Sequence, residues 1–312
     1  MSLMNYYLGI DVGGMSIKCG VVSELGDIAF SDREKVRASA TDTLFTLIDR
    51  VLKKCKAQNI SIKACGIGVP CIFDKKTGTV SYGNNLDFKG VNLKELFLIR
   101  YNLNLELEND AMCAALGESA FGASKNYDNS VLITIGTGIG CGIILNKKPI
   151  PSNCSAVGEL SHTTIQYNGR KCSCGRKGCF EAYASMTALY KDIKREMFRH
   201  KQSLLWQKLD VNNIDGKAFF ELVKEDLLAK KIFERYLKFL SIGIINVANL
   251  LRPDIIVLGG AVSNQGDTLT EPLNKLLKEN LFAKEHTEGI EIVCAKNTND
   301  AGILGAATLC IK

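Results

Sequence analysis

One short pattern occurs twice in this chain and constrains its fold more than any other feature. Ile10 begins Ile-Asp-Val-Gly-Gly, which runs on to Cys-Gly-Val-Val at Cys19, and Ile133 begins Ile-Thr-Ile-Gly-Thr, which runs on to Cys-Gly-Ile-Ile at Cys141. Each copy is typical of two apolar strands joined by a glycine turn. Two such units more than a hundred residues apart predict two related lobes, each opening with a hairpin. The match is short, and two unrelated glycine hairpins would also produce it.

The rest of the chain alternates between strand and helix periodicity, which predicts α/β layers in both lobes. Asp42 is a candidate cap for the first helix. Predicted strands cover residues 7–12, 17–22, 64–69, 106–109, 254–258 and 290–294, and predicted helices cover 41–59, 111–120, 227–251 and 301–309.

Composition narrows the class of protein. With 312 residues, 46% of them apolar, and only 5 prolines, the chain has enough core for two lobes and is neither disordered nor repetitive. No apolar run approaches the ~18 residues of a membrane helix, and the N-terminus does not resemble an export signal. The net charge of +6 is spread along the chain, which suits anionic substrates and argues against nucleic-acid binding. Most of the 12 cysteines stand singly in apolar runs, which predicts reduced thiols and a cytoplasmic protein.

Glycine gathers at four predicted strand or helix ends, where the backbone can approach a phosphate. The spacing matches neither the P-loop nor the dinucleotide-binding motif. Either turn alone is more often a plain hairpin, whereas four clusters together favour a nucleotide cleft between the lobes. The candidate nucleotide-binding residues are Asp11, Gly13, Gly14, Lys18, Gly136, Thr137, Gly138, Gly259, Gly260 and Gly302, with the Asp11 carboxylate suited to hydrated Mg²⁺.

A histidine and three clustered cysteines form a candidate metal site. His162 precedes Cys172, Cys174 and Cys179, and glycines at 175 and 178 would let the loop close tightly. One imidazole and three thiolates suit tetrahedral structural Zn²⁺, and four protein ligands leave no open position for catalysis. Free thiols in a flexible loop are disfavoured because the loop offers no apolar surface to bury them. A disulfide would suit an exported protein and leave an odd thiol.

Carboxylates lie at places where side chains could face a cleft. Asn109 and Asp110 stand between a predicted strand and a helix, where an aspartate could accept a proton from a hydroxyl. Taken alone, Asp110 is more simply the N-cap of that helix. Glu159 and Glu181 flank the candidate metal loop and would be ordered by it.

These segments together resemble the ROK family of sugar kinases, within the actin-like, ATP-binding superfamily. The resemblance runs from about residue 8 to about residue 308, and its most specific part is Gly158-Glu-Leu-Ser-His162 followed by Cys172-x-Cys174-Gly-x-x-Gly-Cys179-x-Glu181. It implies a two-lobed actin-like (ribonuclease H-like) fold with the nucleotide and sugar cleft between the lobes. The N-terminal lobe is expected over residues 4–118, closed by the C-terminal helix 300–312, and the C-terminal lobe over 119–299.

The resemblance also implies an activity, namely the phosphorylation of a hexose on its 6-hydroxyl by ATP. Asp110 would be the general base, His162 would serve both metal and sugar, and a homodimer or homotetramer is expected. The implied sugar-binding residues are Asn85, Asn109, Glu159, His162 and Glu181. Glucose is the default substrate by family frequency; N-acetylmannosamine, N-acetylglucosamine, allose and fructose remain open.

Two departures from the family pattern bear on function. Met15 stands where the family usually has threonine, and the sugar loop at 84–89 lacks the usual proline and tryptophan. A ROK transcriptional regulator that senses sugar is the main alternative. The position of Asp11 within the first dozen residues leaves no room for a helix-turn-helix ahead of it, and Asp110 favours catalysis. An inactive sugar-binding scaffold is the other alternative, supported only by Met15.

Overall fold

The computed structural model describes residues 4–37, 39–83, 86–287 and 289–311. The chain forms two compact units. Unit 1 comprises residues 1–132, 141–158 and 295–312, and unit 2 comprises 133–140 and 159–294. None of the helices in the described ranges combines the length and the apolar run that crossing a bilayer requires.

A five-stranded sheet in the order β3-β2-β1-β4-β7 forms the centre of unit 1. Its first three strands form an antiparallel meander, whereas β1, β4 and β7 are mutually parallel. A separate two-stranded ribbon pairs β5 with β6. The strands are β1 (Tyr6–Val12), β2 (Ser16–Ser23), β3 (Ile28–Lys35), β4 (Ile62–Val69), β5 (Cys71–Phe73), β6 (Val80–Gly83) and β7 (Leu105–Asn109).

A second sheet has the strand order β10-β9-β8-β11-β12. The two sheets share one arrangement. In each sheet the first strand, β1 or β8, has the next two strands of the chain on one side and two later strands on the other. This agrees with the two related hairpins predicted from the repeated sequence pattern. The strands are β8 (Ser130–Ile135), β9 (Ile139–Leu145), β10 (Lys148–Pro149), β11 (Ile255–Gly259) and β12 (Glu291–Cys294).

Ten α-helices occur in the described residues. Unit 1 holds α1 (Ala40–Ala57), α2 (Leu93–Tyr101), α3 (Asp110–Phe121) and α10 (Ala301–Thr308). Unit 2 holds α4 (Glu181–Ala184), α5 (Met186–Arg199), α6 (Leu204–Lys208), α7 (Gly216–Leu222), α8 (Leu227–Leu251) and α9 (Asp267–Asn280), with short 3-10 helices at Leu160–His162 and Ala261–Gln265.

The first helix begins differently from the sequence-based expectation. Ser39, rather than Asp42, is the N-cap of α1, and its hydroxyl accepts a hydrogen bond from the Asp42 amide at 3.0 Å. Asp42 lies in the first turn, where a carboxylate still interacts favourably with the helix dipole. Leu44, Leu47, Ile48, Val51 and Cys55 follow at helical spacing and are buried against the sheet.

Helix α10 packs directly on backbone because glycines remove the intervening side chains. A Cβ atom added to Gly9 of β1 would lie 2.0 Å from the carbonyl oxygen of Ile303. One added to Gly66 of β4 would lie 1.7 Å from that of Ala306. The short helix is therefore held close against the sheet, next to the carboxyl ends of β1 and β4.

Candidate functional site

The strand β7 ends in the pair of residues predicted to act on a substrate hydroxyl. Asn109 is the N-cap of α3, and its side-chain oxygen accepts hydrogen bonds from the amides of Ala111 at 2.9 Å and Met112 at 3.4 Å. Asp110 is the first residue of α3 and accepts from the Ala111 amide at 2.9 Å. The alternative that Asp110 is the cap is therefore wrong. The helix N-terminus favours the ionised form of the Asp110 carboxyl group.

Asp11 and Asp110 lie at the same edge of the sheet, because β1, β4 and β7 are parallel and both aspartates stand at carboxyl ends. Gly68 of β4 is the register partner of Asp11 on one side and of Glu108 on the other. A Cβ atom on Gly68 would lie 3.3 Å from the Cα atom of Asp110. Burial raises the pKa of the Cys113 thiol, and the charges of Glu108, Asp11 and Asp110 each raise it further, so all three carboxylates are near enough to act on this thiol.

Sequence reasoning missed the partner of Glu108. This carboxylate is only 4% exposed, and its Oε2 atom lies 2.6 Å from Nζ of Lys75, which follows β5. Its Oε1 atom accepts from the Asn109 amide at 2.9 Å. The ion pair thus fixes the backbone immediately before Asp110. No local motif signals this contact, since 33 residues separate the partners.

Lys75→Met is expected to lower the free energy of unfolding by about 2–3 kcal/mol, because it leaves a buried carboxylate without its cation. The loss stays below that of a fully buried pair because the lysine side chain is 22% exposed. Urea denaturation measures this change in the free energy of unfolding. Lys208→Met is the control, since its pair with Glu225 is exposed on both sides and contributes at most about 1 kcal/mol. Equal losses in the two variants would contradict the assigned role of Lys75.

The Asp11 carboxylate lies in a row of charges on one face of the sheet. Lys18 is its register partner on β2, and Arg33 is the register partner of Lys18 on β3. Partial burial raises the pKa of Asp11, and the charges of Lys18 and Arg33 oppose that rise without cancelling it. The Lys18 ammonium group donates to the carbonyl oxygen of Asn299 at 2.6 Å.

Gly302 has a steric reason to be glycine. A Cβ atom there would lie 2.6 Å from Cγ of Asp11 and within 3.0 Å of both carboxylate oxygens. The first turn of α10 therefore approaches the Asp11 carboxylate directly. At the β1–β2 turn, the amide of Gly13 donates to the carbonyl of Ser16 at 3.0 Å, and the space around Gly14 is open for at least 4 Å. Met15, the departure from the family pattern, is 81% exposed.

The second glycine turn lies in unit 2, between β8 and β9. Gly136 has open space where a Cβ atom would stand, whereas one on Gly138 would lie 2.5 Å from Oε2 of Glu181. That oxygen accepts from the amide of Ile139 at 3.0 Å. Glu181, predicted from sequence to contact sugar, thus also contacts the backbone of this turn.

Gly260, the residue directly after β11, has a structural role of its own. Gly260 has φ +81°, and a Cβ atom there would lie 2.4 Å from the carbonyl oxygen of Ile135. Gly260 therefore packs against the end of β8, one residue before Gly136. The structure places the pair Gly259 and Gly260 next to the second glycine turn, as a shared binding role would require.

The four predicted metal ligands converge in unit 2. The ligand atoms of His162, Cys172, Cys174 and Cys179 all lie within 4.8 Å of one another. The Sγ atoms of Cys174 and Cys179 are 3.7 Å apart, and Cys172 Sγ is 3.7 Å from His162 Nδ1. In tetrahedral Zn²⁺ coordination, with Zn–S of about 2.3 Å and Zn–N of about 2.0 Å, neighbouring ligand atoms are about 3.6–3.8 Å apart. The donor set and its spacing therefore fit Zn²⁺.

Positive φ angles let the cysteine loop close, as the sequence predicted. Gly175 and Gly178 have φ of +88° and +79°. A Cβ atom on Gly178 would also lie 1.9 Å from the carbonyl oxygen of Gln166. The amide of Arg176 lowers the pKa of Cys174, whereas burial and the neighbouring thiols raise the pKa of Cys179 to about 12. A bound dication would reverse the second effect by favouring the thiolate.

Arg170 anchors the cysteine loop to the helices, a contact that the sequence did not reveal. Its Nη2 atom lies 2.9 Å from both carboxylate oxygens of Asp192 on α5. Its backbone amide donates to the hydroxyl of Tyr183 at 2.7 Å, and its carbonyl accepts from the Gly178 amide at 2.8 Å. The loop is thereby anchored to the helices at Arg170, in addition to the contacts among the four predicted metal ligands.

The predicted site residues are divided between the two units. Glu159 is exposed at the start of the 3-10 helix that carries His162, and its carbonyl accepts from the His162 amide at 3.1 Å. Asn85 lies outside the described residues. Unit 1 brings together Asp11, Gly13, Gly14, Lys18, Asn109, Asp110 and Gly302, and unit 2 brings together Gly136, Thr137, Gly138, Glu159, His162, Cys172, Cys174, Cys179, Glu181, Gly259 and Gly260.

Known proteins resemble this chain over nearly its full length. The ROK family model matches residues 7–312. A glucokinase of Halalkalibacterium halodurans is 30% identical, with 97% of this chain and 94% of the relative covered. The crystal structure of a ROK family glucokinase from Streptomyces griseus, in complex with glucose and AMPPNP, has a TM-score of 0.82 and 30% identity, with 98% and 99% covered. This structural likeness confirms the predicted two-lobed, actin-like α/β fold class.

A regulator resembles the chain almost as well. The xylose repressor of Caldicellulosiruptor bescii is 28% identical, with 98% of this chain and 78% of the repressor covered. Similarity alone therefore points to kinases and to regulators, and the site residues must distinguish them.

Proposed function

Because the chain belongs to the ROK family, we propose that it is a sugar kinase that transfers the γ-phosphoryl group of ATP to the 6-hydroxyl of a hexose. The observation that carries this proposal is the placement of Asp11 and Asp110 at one edge of the unit 1 sheet, on either side of Gly68 of the intervening strand β4. A kinase needs one carboxylate for the metal–nucleotide complex and another for the attacking hydroxyl. A regulator that only binds sugar has no need of a carboxylate for a metal–nucleotide complex.

Asp110 acts as the general base. Its ionised carboxylate accepts the proton of the 6-hydroxyl as the oxygen attacks the γ-phosphorus. The bond between that phosphorus and the β,γ-bridging oxygen breaks, and ADP leaves with the bonding electron pair. Asp110 lies in the first turn of α3, where a carboxylate interacts favourably with the helix dipole, and the Lys75–Glu108 pair fixes the backbone before it.

The nucleotide side uses both glycine turns. Asp11 would hold the hydrated Mg²⁺ that arrives with ATP, because Mg²⁺ prefers hard carboxylate ligands. Lys18 neutralises phosphate charge. The residues assigned to the nucleotide through their backbone are Gly13, Gly14 and Gly302 in unit 1 and Gly136, Thr137, Gly138, Gly259 and Gly260 in unit 2.

The sugar side uses hydrogen-bonding groups on polar side chains. Asn109 in unit 1 and Glu159, His162 and Glu181 in unit 2 are assigned to the sugar hydroxyls, and Asn85 is assigned with them. His162, Cys172, Cys174 and Cys179 would hold structural Zn²⁺, which would neutralise the thiolates and fix the imidazole ring. Because Nδ1 is the atom nearest Cys172, Nε2 is the one left for a substrate.

A coupled assay for ADP with a panel of hexoses tests the proposal. We expect ADP formation with at least one of glucose, N-acetylmannosamine, N-acetylglucosamine, allose and fructose, with glucose the first choice. The similarity to the xylose repressor favours a sugar-sensing regulator as the second candidate. No ADP from any sugar, together with sugar-dependent binding to an operator DNA, would support the regulator instead.

Asp11→Asn is expected to raise the midpoint of thermal unfolding by about 2 °C or more and to weaken ATP binding. Burial raises the pKa of this carboxyl group in the folded state, so its contribution to stability is largest below the unfolded pKa and is lost as pH rises through the folded pKa. The gap in midpoint between variant and wild type should therefore close as pH falls below 4. Calorimetry over a pH series measures it, and identical midpoints at neutral pH would contradict the burial argument.

A further inference from the structure

A nine-residue segment of unit 2 carries a metal ligand at one end and contacts with the second glycine turn at the other. Cys179 belongs to the metal cluster. Two residues later, Oε2 of Glu181 accepts from the Ile139 amide at 3.0 Å. The amide of Met186 donates to the carbonyl of Gly136 at 2.9 Å. The hydroxyl of Thr187 donates to the carbonyl of Thr137 at 2.7 Å.

The three contacts hold successive residues of the turn. They fix the carbonyls of Gly136 and Thr137 and the amide of Ile139, while within the turn the Gly136 amide donates to the Gly138 carbonyl at 2.9 Å. A turn held in this way presents its remaining backbone groups in one conformation. The first glycine turn, at residues 13–16, lies in unit 1 and is held instead by the Gly13–Ser16 hydrogen bond.

The metal loop sets the position of the same segment. Cys179 and Phe180 are fully buried, and the Phe180 ring occupies the space that a side chain at Gly243 would need. The Phe180 amide donates to the carbonyl of Thr163, the residue after the ligand His162, at 2.9 Å. Ser173, between two ligand cysteines, donates to Oε1 of Glu181 at 3.4 Å. Glu181 therefore contacts the metal loop with one oxygen and the glycine turn with the other.

We propose that the metal loop positions the second glycine turn through Glu181 and Thr187, so that metal occupancy controls the affinity for nucleotide as well as the geometry of the sugar site. This inference rests on the proposed function for its nucleotide half. Glu181 and Thr187 act in it as positioning residues. The metal ion would then act on the phosphate side through these protein contacts, without contacting ATP.

Hydrogen exchange tests the coupling without requiring activity. The zinc-loaded protein and the same protein stripped with a chelator are compared by mass spectrometry. We expect the amides of 136–140 to exchange at least fivefold faster after stripping, while those of 13–16 keep their rates. Unchanged exchange at 136–140 would overturn the proposal even if the enzyme were active.

A pair of variants tests the same link with the metal in place. Thr187→Val removes the hydroxyl and keeps the shape of the side chain, so the KM for ATP should rise about fivefold, the value of one neutral hydrogen bond. The KM for sugar and the zinc content should not change. Thr187→Ser retains the hydroxyl and should behave as wild type. A Thr187→Val enzyme with wild-type KM for ATP and wild-type exchange at 136–140 would also overturn the proposal.

The outcomes separate this inference from the kinase proposal. If exchange at 136–140 depends on zinc but no hexose yields ADP, the kinase proposal fails and the positioning role stands. If ADP forms and neither stripping nor Thr187→Val affects the turn, the kinase proposal stands and the positioning role fails.

Discussion

Asp110→Asn is expected to lower kcat for hexose phosphorylation by about 10²–10⁴-fold, the range measured when a general base is removed. The amide has the shape of the carboxylate and still accepts from the Ala111 amide, but it cannot take the hydroxyl proton. Because Asn109, and not Asp110, caps α3, the substitution leaves the helix start intact. Unfolding stability and the dissociation constant for sugar should therefore change little.

Steady-state kinetics and calorimetric titration with sugar measure the two effects on the same preparation. Asp42→Asn is the matched control, because Asp42 also lies in the first turn of a unit 1 helix and is exposed. The Asp42→Asn variant loses the same kind of helix-dipole interaction as Asp110→Asn and should keep full activity. A variant at position 110 that retains a tenth of the wild-type kcat would contradict the assignment of Asp110 as the base.

Local sequence patterns predicted the elements that position the site. The helix predicted over 227–251 matches α8, and the strand predicted over 7–12 matches β1 to within one residue. The repeated pattern predicted two related hairpins, and each of them begins a sheet of the same strand order. These features could be predicted because apolar periodicity and glycine turns act over a few residues.

Contacts between distant segments could not be predicted in the same way. Lys75 and Glu108 form an ion pair that no spacing rule relates, and Arg170 meets Asp192 across two elements. The Cys₃His cluster is the exception. Its residue types are rare and lie close together in the sequence, so the chemistry of the donor set predicts the contact.

The choice of cap at α3 illustrates a limit of propensity. Asparagine and aspartate cap helices equally well, and the sequence Asn109-Asp110 offers both. The structure uses Asn109, because β7 ends there and its backbone is extended at φ −63° and ψ 145°. That choice puts Asp110 inside the first turn.

The glycines of α10 have two different roles that the sequence pattern could not separate. The sequence predicts a nucleotide-binding role for Gly302. Gly302 does face the Asp11 carboxylate, whereas Gly305 faces the backbone of α3. Gly117 on α3 completes the contact, since a Cβ atom there would lie 2.4 Å from the carbonyl oxygen of Ala301. The helix is thus enclosed by backbone on the sheet side and on the α3 side.

Gly305→Ala is accordingly expected to lower the free energy of unfolding by more than about 3 kcal/mol. The new Cβ atom would lie 1.5 Å from the carbonyl oxygen of Cys113 and 2.8 Å from the amide nitrogen of Gly117. Neither atom belongs to a flexible side chain, and α10 cannot move away because Gly9 and Gly66 already hold it against the sheet. Separating α10 from α3 would also shift Gly302 relative to Asp11, so activity should fall with stability.

Urea denaturation measures the change in stability. Failure of the Gly305→Ala variant to accumulate as folded protein would also indicate a large loss of stability. Gly289→Ala is the control, because no atom lies within 4 Å of the added Cβ and its backbone does not require glycine; its effect should stay within about 0.5 kcal/mol. Equal urea midpoints for the two variants would mean that α3 and α10 can separate at little cost. The close backbone packing would then not be what fixes the first turn of α10 beside Asp11.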